Sequence, residues 1–113
     1  MSVLVFGDSL VVGVKPYIKD SVATVKGVQS IGLEAGVSKI LAYPRKDLYV
    51  IDLGTNSQRV STLEASIDRV LKGTGDAKIL WLAFHFPGGK RSSMNAALRR
   101  AQSANGSRFH VLA

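Results

Sequence analysis

The sequence predicts an α/β fold, a parallel five-stranded sheet layered with helices, and three observations carry that expectation. Short apolar runs recur at 3–6, 23–25, 48–53, 79–83 and 109–112, each of strand length. Between the later runs the apolar spacing turns helical: Leu33, Val37, Ile40 and Leu41 share one face, as do Leu63, Ile67, Val70 and Leu71, and then Met94, Ala97, Leu98 and Ala101. Finally, Tyr49-Val50-Ile51 and Ile79-Leu80-Trp81-Leu82 are apolar on consecutive residues, as strands are when a sheet is covered on both faces.

The elements follow in order. The first run breaks at Gly7-Asp8-Ser9, and Pro16 limits how far upstream a regular first helix can start, so 11–14 is expected to be a loop or irregular turn. Ser61 or Thr62 is expected to cap the helix over Leu63 to Leu71, with Glu64 set against its dipole and Gly73 ending it; Gly75-Asp76 then turns the chain into Ile79. Ser92 or Ser93 is expected to open the last helix and Asn105-Gly106 to close it. Right-handed crossovers leave few arrangements of such a βα alternation, and the expected one is the three-layer flavodoxin-like order 2-1-3-4-5.

At 113 residues the chain is expected to form one domain, 1–113, with a real hydrophobic core. Apolar residues make up 46% and charged residues 20%, with no repeat or low-complexity run, which excludes a disordered segment. The absence of cysteine excludes a disulfide framework and thiolate metal sites. Met1 to Gly7 has no basic start and too short an apolar run for a secretory signal, and no stretch reaches transmembrane length. The expectation is a product soluble where it is made, either cytoplasmic or built into a virion, with no membrane contact.

Fifteen Lys and Arg against eight Asp and Glu give a net charge of +7, which favours polyanionic surfaces as partners. Lys90, Arg91, Arg99 and Arg100 cluster, but aromatics do not interleave them as in single-strand binders, so nucleic acid is the least favoured partner. Gly88-Gly89-Lys90-Arg91-Ser92 has Phe84 where a phosphate loop needs its upstream glycine, so no nucleotide cofactor is expected. Asp8 has no companion cluster of carboxylates and imidazoles, so no metal is expected.

In a parallel sheet every carboxyl end points to one rim, where such folds hold ligands. Ser9 follows the first strand, Gly27 the second, Gly54-Thr55-Asn56 the third and His85 the fourth. A serine hydroxyl needs an adjacent base to act as a nucleophile, and an acyl oxyanion needs preorganised donors. The backbone N–H groups of Ser9 and Gly27 and the side-chain amide of Asn56 are suited to supply them.

These residues resemble the SGNH, or GDSL, hydrolases. Gly7-Asp8-Ser9-Leu10 matches that family's first block, Gly27 within Val25-Lys26-Gly27 its second-block glycine, and Gly54-Thr55-Asn56 its Gly-x-Asn block. The run from Asp47 to Asn56 is especially similar to SGNH domains associated with cell-wall and polysaccharide acyltransferases, and the resemblance extends to Pro87 and Met94-Asn95-Ala96-Ala97-Leu98. It implies serine esterase or acyl-transfer chemistry, with Ser9 as nucleophile and Ser9, Gly27 and Asn56 as oxyanion donors.

The resemblance also implies a final Asp-x-x-His block after the fifth strand, whose histidine is the base. Phe109-His110-Val111-Leu112-Ala113 matches that strand, and no such block is present in the sequence. Of the two histidines, His85 is the candidate substitute base, although its strand lies two spacings from that of Ser9, on the order of 10 Å. His110, within the last strand, is expected to be a packed or edge residue.

The resulting expectation is a catalytically incomplete SGNH-like domain, truncated before its final helix, that serves as a structural or binding module in a larger assembly such as a phage virion. Without that helix, a strip of Val, Leu and Ile on strands one, three and four would face water, and an identical or different chain would cover it. The alternative is a serine O-acyl esterase on acylated sugars, with His85 or a partner's histidine as base.

Overall fold

The computed structural model describes residues 1–8, 11, 15–17, 19 and 23–113. Five strands, β1 (Val3–Gly7), β2 (Thr24–Gly27), β3 (Leu48–Asp52), β4 (Lys78–Leu82) and β5 (Phe109–Leu112), form one sheet in the order β2-β1-β3-β4-β5, every pair parallel. Among the described residues, three α-helices of ten residues or more alternate with them: α1 (Leu33–Ala42), α2 (Val60–Gly73) and α3 (Gly89–Ala104). The order is the one the sequence predicts. Of 11–14, expected to be a loop or irregular turn, Val11 is helical and the other three lie outside the described residues, and a 3-10 turn at Lys15–Tyr17 brackets Pro16.

The strands alternate strictly, which splits the sheet into two unlike faces. Leu4, Phe6, Tyr49, Ile51, Ile79, Trp81 and Phe109 point to one side and are buried. They meet the apolar stripes of the three helices, Leu33-Val37-Ile40, Leu63-Ile67-Val70 and Met94-Ala97-Leu98, in a single core. Trp81 sits at its centre, with its indole N–H donating to the Leu53 carbonyl at 3.0 Å and its ring 6.2 Å from that of Phe109. Arg108 secures the far end of α2: its guanidinium donates to the carbonyls of Ala77 and Leu71 and to the Thr74 hydroxyl.

The opposite face carries Val3, Val5, Leu48, Val50, Leu80 and Leu82, all half-buried, and Leu112, 47% exposed. Val11, Ala23 and Val25 pack against Val3 and Val5 at one edge. The open strip is therefore built of Val and Leu. The isoleucines expected there, Ile51 and Ile79, belong to the covered face, because the period of two places them beside Tyr49 and Trp81.

Two helix starts differ from expectation. Arg59, not Ser61 or Thr62, is the N-cap of α2, because Ser57 N–H closes a turn onto Gly54 O at 3.1 Å and helical bonding begins at once from Leu63 N–H to Arg59 O. Gly88 precedes α3 at φ +111, a conformation that L side chains rarely adopt, and it admits the helix three residues before Ser92. Strand β2 runs on to Gly27 rather than stopping at Val25, since Phe6 and Gly7 supply partners for Lys26 and Gly27.

Truncating Trp81 removes a filled ring site and orphans the Leu53 carbonyl. We expect Trp81→Ala to lower the unfolding free energy by about 4 kcal/mol, and Trp81→Phe by about 1–2 kcal/mol, in urea titrations.

Candidate functional site

The carboxyl ends of β1, β3 and β4 open into a cavity of about 250 Å³. Asp8, Asp52, Asn56 and His85 supply its polar lining together with Thr55, and Phe84 and Phe86 are among its apolar residues. Three adjacent strand ends thus each deliver one titratable side chain: Asp8 after β1, Asp52 at the end of β3 and His85 beyond β4.

Asp52 is placed by register. It pairs with Gly7 across β1 and β3, and Asp8 N–H donates to the Asp52 carbonyl at 3.2 Å. A Cβ on residue 7 would lie 2.7 Å from the Asp52 carbonyl oxygen and 2.9 Å from the Asp52 Cβ, so only glycine allows the two strand ends this close. The half-buried Asp52 side chain falls on the open face of the sheet, at its carboxyl edge. Burial, and then the Asp8 carboxylate beside it, push its carboxyl up to about 6, while His85 acts in the opposite direction.

His85 reaches the cavity because its loop is held from behind. Asn95 of α3 grips the Phe84 backbone with both ends of its amide, accepting from Phe84 N–H at 2.7 Å and donating to Phe84 O at 3.0 Å. The buried Phe84 ring packs over Gly54, where a Cβ would lie 2.5 Å from it and where φ is +130. With Phe84 turned into the core, the exposed His85 is left at the cavity.

Asn56 also lines the cavity. One of its amide N–H groups donates to the Ile31 carbonyl at 3.2 Å, fixing the side chain between the loops that follow β2 and β3. Ser57 reinforces that join by accepting from Leu33 N–H at 3.1 Å. An amide nitrogen has two protons, so this bond leaves Asn56 a second donor.

The other candidates fall elsewhere. Ser9 lies outside the described residues. Gly27 pairs with Gly7 at the end of β2, on the far side of β1 from His85, and is not among the residues described around the cavity. His110 pairs with Leu80 in the middle of the edge strand β5, exposed on the open face and away from the rim. Among the described residues, no group of three His, Cys, Asp or Glu side chains is arranged to hold a metal ion, and no helix is long and apolar enough to cross a membrane.

Two rim residues were not singled out from the sequence. Asp52 ends an apolar strand two residues before Gly54, and a carboxylate interrupting a run such as Tyr49-Val50-Ile51 is the signal that finds it. Asn95 lies on a helix rich in polar residues, where nothing local marks it as a clamp.

Because the Asp52 carboxyl is held above its unfolded value, the folded state keeps a proton that the unfolded chain has already lost. Its ionisation therefore opposes folding fully above pH 6 and ceases to do so as pH falls to about 4. We expect Asp52→Asn to raise the unfolding free energy at pH 7 by ~1–2 kcal/mol, after allowance for solvent screening of the half-exposed group, and to change it little at pH 4. Thermal melts of the two proteins at both pH values check this. The chain matches no model of a known protein family and no curated protein, so a functional reading has to come from the rim residues themselves.

Proposed function

We propose that the rim is an acyl-ester site of SGNH-hydrolase type, at which Ser9 attacks the acyl carbon of an O-acyl ester. The observation that carries this reading is the convergence of His85, Asp52 and Asn56 on one cavity beside the β1 turn from which Ser9 follows. His85 takes the Ser9 hydroxyl proton as the Oγ–acyl bond forms, and returns it to the departing alkoxide as the ester C–O bond breaks. Water then repeats the sequence on the acyl-serine, releasing the acid and restoring the hydroxyl. The second N–H of Asn56, with the backbone N–H of Ser9, stabilises the oxyanion of both steps. An O-acylated sugar is the substrate class that the sequence resemblance supports.

A second reading has its own observation. The half-buried Val50, Leu80 and Leu82 and the exposed Leu112 make a continuous apolar strip on the open face. A strip of that kind supports use of the domain as a structural or binding module whose open face is covered by another chain.

For the first reading we expect wild-type protein to hydrolyse p-nitrophenyl acetate and to be labelled by a fluorophosphonate. Ser9→Ala should abolish both, His85→Ala should abolish turnover, and Asn56→Ala should lower kcat on the order of 10²-fold. Equal silence of wild type and variants would sink it. For the second, sedimentation should show concentration-dependent self-association or capture of a partner that Leu82→Lys weakens; a monomer at all concentrations counts against it.

A further inference from the structure

The acyl-ester reading leaves open what sets the orientation and charge of the base, and the arrangement of the rim supplies an answer. His85 follows directly on Phe84, whose backbone N–H and carbonyl are both bonded by the Asn95 side chain. A neutral imidazole presents one nitrogen as acceptor and must place its proton on the other, and a carboxylate facing that second nitrogen selects the tautomer and stabilises the imidazolium formed in the reaction.

Two carboxylates line the cavity with His85, Asp8 from β1 and Asp52 from β3. The order of strands distinguishes them. Asp52 ends the strand directly between β1 and β4, next to Leu82 on the open face, whereas Asp8 lies one strand further off. Asp8 is also buried, with an interaction of its own, while the Asp52 side chain is half-exposed toward the cavity. Resting on the acyl-ester reading, we propose that Asp52 is the positioning residue for His85, the two forming a carboxylate–imidazole pair across the carboxyl ends of β3 and β4.

The pair takes its carboxylate from the third strand, next to the attacking side of the rim. Asp8 plays against it, since a second negative charge disfavours ionisation of Asp52. His85 plays for it. Among the described residues, Asp8 and His85 are the titratable groups that line the cavity with Asp52, and the remaining polar lining, Thr55 and Asn56, does not titrate.

The direct test is carboxyl-carbon NMR of the full chain, following the Asp52 titration in wild type, His85→Ala and Asp8→Asn. The Asp52 midpoint should rise by about half a pH unit or more in His85→Ala and fall in Asp8→Asn. In parallel, Asp52→Asn should lower kcat for p-nitrophenyl acetate on the order of 10²-fold with KM unchanged, and Asp52→Glu should restore part of that loss. Retention of the wild-type amide spectrum in Asp52→Asn confirms that the loss is not unfolding. An Asp52 midpoint unmoved by His85→Ala overturns the pair, even if Ser9-dependent hydrolysis in the same sample leaves the acyl-ester reading standing. A midpoint that moves in a wild type without Ser9-dependent hydrolysis keeps the pair and overturns the acyl-ester reading.

Discussion

The close approach of Gly7 to Asp52 governs what the rim can be. Residue 7 pairs with residue 52 at the carboxyl ends of β1 and β3, and a Cβ there would meet the Asp52 backbone and Cβ. At this point β1 offers no side chain, so the Asp52 carbonyl accepts from Asp8 N–H and the two aspartates sit on adjacent strand ends. Asp52 then lines the cavity half-buried, where burial and the Asp8 carboxylate push its carboxyl up. A methyl group at residue 7 would have to displace the Asp52 backbone, and with it the orientation of the side chain.

Holding such a carboxylate costs stability, and the rest of the fold offsets it on the other side of the sheet. The covered face has Trp81 with its indole satisfied, a continuous apolar layer against three helices, and Arg108 tying the end of α2 to the strand that follows. The two faces thus divide the work: one is closed and rigid, and the other, with its half-exposed valines and leucines, has apolar area in contact with water. Rigid backing matters to the rim because Phe84, the residue before His85, is part of that closed core. The clamp from Asn95 transmits the position of α3 to the loop carrying the imidazole.

The architecture was legible in the sequence because periodicity reports which side of a strand or helix is buried. Leu63, Ile67 and Val70 could be assigned to one face before any coordinates, and right-handed crossovers then set the sheet order. Helix starts were less legible. Ser92 and Ser93 carry the chemistry of a cap, but the backbone freedom of Gly88 and the turn closed at Gly54 decided where the helices begin. At the site, Asn56 and His85 were found by their places after strands, whereas Asp52 was read as part of a strand. Its importance comes from a cross-strand neighbour 45 residues away in the chain, which no local pattern encodes. Asn95 was hidden for the same reason, since its partner is a backbone and a backbone has no signature in sequence.

The placement of charge separates the cavity from the rest of the molecule. Lys and Arg outnumber Asp and Glu by fifteen to eight, so the field at a distance attracts anions. Among the described residues, the titratable groups lining the cavity reverse that balance, with two carboxylates and one imidazole. A ligand carrying its own carboxylate into the cavity would meet Asp8 and Asp52 at close range in partly desolvated surroundings, where repulsion is strongest. On the proposed reading, an ester carries no charge until the oxyanion forms, and the Asn56 amide, fixed to the Ile31 carbonyl at the cavity, is the neutral group proposed to receive it. On the acyl-ester reading proposed above, the long-range field and the local chemistry select for different things: an anionic carrier is drawn to the surface, while the part that enters the rim is uncharged.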